Sequence, residues 1–296
     1  MEVVPAGALA IAYIETGPAD GAPVVMLHGF PYDVSAYDAA TEILSSAGVR
    51  CIVPFLRGFG ATRFLEDGTP RSGEQAALGA DLLALMNALS LDRAIVGGYD
   101  WGGRAACIVS ALWPERVRGL VSCGTGYNIQ NIPAAGNPAS AEAEARYWYQ
   151  YYFHSARGRR GLEQDRRGIC EFLWRTWSPT WAFDQATFDR AAAAFDNPDF
   201  VEIVIHSYRH RFGGIPGDPA YAAVEARLAE QPDIPIPAIV LHGGDDGVDP
   251  PPSSDAGESH FTAAYERRIV SGAGHNLPQE APAAFAGAVL DLLSKF

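Results

Sequence analysis

Asp100 stands in the run Gly98-Tyr99-Asp100-Trp101-Gly102, which follows a short apolar stretch and opens a helical pattern. Glycines two residues to either side of a reactive side chain mark a sharp strand-to-helix turn, where larger side chains would collide with neighbouring backbone. The helix N-terminus also favours the ionised form of a carboxyl group. A carboxylate at such a turn does different chemistry from a serine. Attack on an ester would give an anhydride, an unfavourable intermediate. Attack on an sp³ carbon bearing a leaving group gives an ordinary ester, which water can then hydrolyse. Epoxide opening and carbon–halogen cleavage both fit that scheme; ester hydrolysis does not.

Cleaving the intermediate needs a base. Gly274-His275-Asn276 follows the last apolar run, and the chain order nucleophile, acid, histidine places the base at His275. The acid that orients it should follow the preceding run, where Gly243 to Pro250 offers Asp245, Asp246 and Asp249. Asp246 is expected, with Asp245 second, because Asp246 fills the acid position of a G-x-x-D-x-x-x-P loop. His28-Gly29-Phe30-Pro31 should supply an oxyanion hole through the backbone N–H of Phe30, together with that of Trp101. His28 itself and the Arg57-Gly58-Phe59-Gly60 loop are expected to be structural. His206 and His210 lie four residues apart, but no third ligand or H-E-x-x-H pattern accompanies them, so no metal is expected.

These residues need a scaffold. Short apolar runs at Leu9–Ile14, Val24–Leu27, Cys51–Pro54, Ala94–Gly97, Leu120–Cys123, Ala238–Leu241 and Arg267–Val270 read as strands. Helical patterns lie near Glu74–Leu89, Gly103–Leu112 and Ala281–Leu293. The alternation predicts an α/β protein with a mostly parallel sheet and helices on both faces. It breaks between about Tyr127 and Leu228, where the pattern is helical and rich in aromatics, with Asn197-Pro198 as an expected helix start. The expected organisation is a core at 1–127 and 229–296, with a helical lid at 128–228 over the carboxyl ends of the strands.

The 296 residues carry a formal charge of −13, and the densest basic run, Arg157 to Arg167, also holds Glu163 and Asp165. A nucleic-acid partner is therefore not expected. Four dispersed cysteines without a C-x-x-C pair suit buried thiols in a reducing compartment. The N-terminus lacks a basic region and a long apolar run, so the cytoplasm is expected and a membrane is not.

Taken together, H-G-F-P at His28–Pro31, G-x-D-W-G-G at Gly98–Gly103 and G-H-x-x-x-x-E-x-P at Gly274–Pro282 resemble the soluble epoxide hydrolases of the α/β-hydrolase fold, over essentially the whole chain. The core motifs are shared with haloalkane and haloacetate dehalogenases. Tyr149-Gln150-Tyr151-Tyr152-Phe153 looks like the family's Y-Q-x-Y-F segment, and Ser207-Tyr208-Arg209 like its W-Y-R segment with Ser for Trp. The resemblance implies that Tyr149 and Tyr208 donate to the epoxide oxygen, which suits an alkoxide that leaves poorly without O–H donors. It also implies that Trp148, Tyr152 and Pro31 contact the substrate, with Tyr147 and Tyr151 as further wall residues. Phe30 stands where many haloalkane dehalogenases carry a halide-binding asparagine, and Trp101 where fluoroacetate-type enzymes carry arginine. The expected function is thus cofactor-free hydrolysis of an apolar or aromatic epoxide to a vicinal diol. Dehalogenation by the same aspartate is the alternative, and a non-catalytic small-molecule receptor the remote one. Assembly as a homodimer stays open.

Overall fold

The computed structural model describes residues 1–296. Its centre is a nine-stranded sheet. The strands are β1 (Glu2–Ala6), β2 (Leu9–Thr16), β3 (Ala22–Leu27), β4 (Val49–Pro54), β5 (Arg63–Phe64), β6 (Ala94–Gly98), β7 (Val117–Cys123), β8 (Ala238–Gly243) and β9 (Tyr265–Val270). Their order is β1-β2-β4-β3-β6-β7-β8-β9, with β5 paired to β2. The pairs β3–β4, β3–β6, β6–β7, β7–β8 and β8–β9 are parallel, while β1, β2 and β5 add an antiparallel edge. Central strands covered on both faces need apolar side chains throughout. Accordingly β6 and β8 are buried along their whole length. Every strand expected from the sequence is present; β1 and β5 are additional.

Helices flank this sheet. α1 (Asp38–Ser46) and α11 (Pro282–Lys295) pack together, as do α2 (Gln75–Ala88) and α3 (Asp100–Leu112). Between β7 and β8 lie α4 (Ala141–Arg146), α5 (Trp148–His154), α6 (Ala156–Trp177), α7 (Gln185–Ala192), α8 (Phe200–Arg211) and α9 (Ala222–Leu228); α10 (Leu277–Glu280) follows β9. The whole inserted stretch separates β7 from β8 in sequence, yet Leu120 pairs with Ala238 in register. The sheet closes behind the insertion as if it were not there. No helix is long and apolar enough to cross a membrane.

The inserted helices are bound to the core by specific contacts. Trp174 of α6 donates its indole N–H to the Pro31 carbonyl at 2.7 Å and stacks on Tyr32 with ring centroids 4.8 Å apart. Asn197 does not cap a helix directly. Its amide donates to the Gly60 and Thr62 carbonyls while its Oδ1 accepts the Asp199 N–H, so α8 begins three residues later, at Phe200. The side chain expected to start a helix is spent on holding the insertion against the core. Arg57 is buried, forming two 2.7 Å hydrogen bonds to Asp81 and reaching Tyr221 at 3.2 Å. That network gives the Arg57 loop the structural role expected of it. All four cysteines are buried and unbonded.

Candidate active site

The turn at Asp100 is built by what its glycines leave out. A Cβ on Gly102 would lie 2.0 Å from the Leu27 carbonyl oxygen, and one on Gly98 would lie 2.4 Å from the Gly102 carbonyl carbon. Neither neighbour can yield, because both are backbone. Asp100 itself has φ of +50°, a conformation that costs an L-residue roughly 1–3 kcal/mol and that clusters at functional sites. The turn presents the carboxylate at the start of α3, beyond the carboxyl end of β6.

Three of the expected residues converge there. Asp100 Oδ1 accepts the Phe30 N–H at 2.8 Å. Its Oδ2 lies 4.0 Å from His275 Nε2, which has no protein partner. His275 Nδ1 meets Asp246 Oδ2 at 2.9 Å, and Asp246 Oδ1 accepts the N–H groups of Val248 and Asp249, each at 2.9 Å. Asp245 points elsewhere, towards the Thr180 hydroxyl. The geometry therefore selects Asp246 as the partner of His275, and fixes the proton of the neutral imidazole on Nδ1. Trp101 follows Asp100 in the first turn of α3, where backbone N–H groups have no partner within the helix.

Burial alone would disfavour a charged His275. The Asp246 charge and their hydrogen bond, with Asp100 and Asp249 beyond, outweigh it and push the pKa up to about 9. A folded-state pKa above the ordinary 6.5 gives stability that is complete below about pH 6.5 and lost as pH rises through about 9. The wild type should lose on the order of 3 kcal/mol of unfolding free energy over that window. The His275→Gln variant should lose much less. Urea melts at a series of pH values measure this, and parallel curves for the two proteins would assign the loss to other groups.

The loop carrying His275 is held by residues that the sequence did not single out for a role. Glu280 accepts the Gly274 and Asn276 N–H groups and the Ser178 hydroxyl at 2.7, 3.0 and 2.6 Å. Ser178 Oγ in turn accepts the His275 N–H at 3.1 Å. The Trp177 carbonyl, at the end of α6, accepts the N–H of Gly247 and of His275. One turn of the insertion thus sets both the acid loop and the base loop. Glu280 was visible as the acidic member of the G-H-x-x-x-x-E-x-P run; Ser178 left no signal.

His28 is buried and neutral. Its Nε2 accepts the Leu56 N–H at 3.1 Å, so the proton on Nδ1 donates to the Gly29 carbonyl at 2.9 Å. Desolvation pushes its pKa down to about 4. It ties two loops together.

Tyr149 and Tyr208 come from α5 and α8 and meet edge-on, ring centroids 5.4 Å apart. The Tyr208 ring also lies 5.6 Å from that of Phe30 and 6.1 Å from that of Trp101. Burial raises both phenol pKa values, and the Arg211 charge opposes the rise. Both are therefore neutral O–H groups at physiological pH. The Tyr208 hydroxyl has no protein partner, and the Tyr149 oxygen accepts from Gln150 at 3.2 Å.

A cavity of about 320 Å³ opens beside Asp100 and His275, walled by Tyr149 and Tyr147 among others. Tyr208 is not among its walls, and nor, contrary to the expectation that they contact the substrate, are Trp148, Tyr152 and Pro31. The cause is helical spacing. Tyr149 and Phe153 share the inward face of α5, whereas Trp148 and Tyr152 pack on each other along another face, with Trp148 39% exposed. Pro31 is turned to Trp174. Tyr151 is exposed and bonded to Glu144. The walls are also more polar than expected for an apolar ligand. Arg104, Arg211, Asn128, Gln150 and Asp249 all face the space. His206, one of the two spaced histidines, accepts the Gly73 N–H through Nδ1.

Residues 22–282 match the family described as the alpha/beta hydrolase fold, and the chain belongs to that family. Within it, a candidate epoxide hydrolase from Klebsiella pneumoniae, known from its crystal structure, is 45% identical, with a TM-score of 0.96 over 98% of this chain and 96% of that one. Epoxide hydrolase 2 of Siraitia grosvenorii is 37% identical over 114 residues, 38% of this chain and 34% of that protein. The chain thus spans about a third of that curated relative's length. Epoxide hydrolase A of Mycobacterium tuberculosis is 24% identical over 93% of this chain and 91% of its own length.

Proposed function

We propose that the protein is an epoxide hydrolase working through a covalent ester on Asp100. The observation that carries this reading is a carboxylate, not a hydroxyl, at the nucleophile turn, facing a histidine–aspartate pair, with the neutral phenol of Tyr149 in the wall of the same cavity. The Klebsiella, Siraitia and Mycobacterium relatives support it by their descriptions. In the first step Asp100 Oδ2 forms a bond to an epoxide carbon as the carbon–oxygen bond breaks, and Tyr149 or Tyr208 gives a proton to the departing oxygen. In the second, neutral His275 takes a proton from water as the water oxygen adds to the ester carbonyl carbon. The Phe30 and Trp101 N–H groups hold the resulting oxyanion. Collapse releases the diol oxygen, which takes the His275 proton, and the proton left on the Asp100 carboxyl returns to the tyrosinate. The helices of 128–228 act as a lid that brings the phenols to the site.

Single turnover in ¹⁸O-water, with enzyme in excess over styrene oxide, tests the scheme. Label is expected in the Asp100 carboxylate, with unlabelled diol. Label directly in the diol would mean attack by water and would overturn the covalent step. Halide release from 1-bromobutane or fluoroacetate without diol formation from epoxides would favour dehalogenation.

A further inference from the structure

Arg104 and Arg211 lack the partners that buried arginines normally have. Arg104 is 7% exposed, and its Nε meets no hydrogen-bond acceptor. Arg211 has both Nε and one terminal nitrogen buried without a partner. In a chain with 35 acidic and 22 basic residues, guanidinium nitrogens buried without an acceptor stand out. Arg50, Arg57 and Arg71, by contrast, each reach a carboxylate. An unpaired buried cation is costly unless something anionic meets it.

Their placement says what that is. Both line the cavity that holds Asp100 and His275. Arg104 lies one helical turn after Asp100 on α3, on the same face. Arg211, at the end of α8, lies three residues after Tyr208, its guanidinium 4.6 Å from that ring's centroid. The two cations come from opposite sides, one from the core and one from the insertion. Desolvation, and then the charge of Arg211, bring the Arg104 pKa down to about 10, so Arg104 remains a cation at neutral pH. The opposing carboxylate in the wall, Asp249, accepts the Tyr147 hydroxyl at 2.7 Å, and burial and Asp246 raise its pKa. Arg104 and Arg211 thus bring two guanidinium groups without carboxylate partners to the wall of the cavity that holds Asp100.

We propose that Arg104 and Arg211 form an anion seat, and that the epoxide opened at Asp100 carries a carboxylate or another small anionic oxygen group. This rests on the epoxide reading above and narrows its substrate class. Guanidinium forks match such groups in geometry, and pairing to an ionised acceptor is among the stronger hydrogen-bond types. The seat would orient the epoxide carbon towards Asp100 and reject neutral analogues, which leave both cations unpaired.

The test compares kcat/KM for glycidate and glycidyl phosphate with that for glycidamide, a neutral analogue of similar size, and for styrene oxide. An anionic epoxide should be preferred to glycidamide by about 100-fold, and which anion wins identifies the group. Arg104→Met and Arg211→Met should each reduce that ratio at least tenfold; either variant suffices if the other fails to fold. Equal turnover of neutral and anionic epoxides, or a ratio unchanged in the variants, would overturn the seat. Calorimetry with glycerate and glycerol on the wild type and the two arginine variants separates the two readings. Glycerate binding that depends on the arginines, with no diol from any epoxide, would keep the seat and sink the epoxide hydrolase. Diol from styrene oxide with no glycerate preference would do the reverse.

Discussion

His275→Gln should halt the cycle at the ester, so that the protein gains the mass of one epoxide on Asp100 while diol release falls on the order of 10⁴-fold. The substitution leaves Asp100 and its Phe30 contact intact, so the first step survives. The second loses its base. In the resting protein burial is outweighed by the charges of Asp246 and Asp100, which push the His275 pKa up to about 9. Asp100 contributes to that rise, and esterification erases its negative charge. The imidazole then becomes easier to deprotonate at the moment when a neutral base is needed. Intact-protein mass spectrometry after incubation with styrene oxide reads the adduct, and peptide mapping places it. Asp100→Ala should show neither adduct nor diol. Unchanged diol release by His275→Gln would remove His275 from the proposed mechanism.

Replacing Tyr149 and Tyr208 by phenylalanine together should lower epoxide opening by 10³-fold or more, with each single variant losing less. A positioned acid is worth roughly 10²–10⁴-fold, and an alkoxide without one is a poor leaving group. In the proposed scheme both phenols serve one departing oxygen, so either can act when the other is absent. The measurement that separates this from a packing defect is the adduct rate in pre-steady-state mass spectrometry, alongside urea stability. Alkylation should slow while ester hydrolysis, which needs no phenol donor, keeps its rate. A double variant that alkylates at the wild-type rate would make these residues wall and nothing more.

Much of the architecture is legible in the sequence. β3, β4, β6 and β8 are covered on both faces or nearly so, and such strands must be apolar throughout, which makes them conspicuous in sequence. β1 was missed because it is an edge strand with mostly exposed residues, and β5 because two residues carry no pattern. In the site, Asp100, His275 and Asp246 each sit in a loop whose glycines or chain order announce it. The cavity walls carry no such signal. Arg104 is one charge in an apolar helix, detectable only by asking what lies one turn after Asp100. Arg211, Gln150 and Asp249 arrive from three separate elements, and nothing local says that they meet. Their convergence is also why the ligand expected from aromatic content was apolar while the walls are polar.

The 2.8 Å contact between Phe30 and Asp100 has a further consequence for where atoms go. It makes the two oxygens of one carboxylate unequal. On the proposed mechanism Oδ1, held by the backbone, becomes the carbonyl oxygen of every ester and returns unchanged each time. Oδ2 leaves in the diol and is replaced from water. Rotation of the carboxylate is opposed by that contact. One oxygen is thus a permanent resident and the other a consumable. After the first cycle, every diol carries off the water oxygen that the preceding molecule left behind.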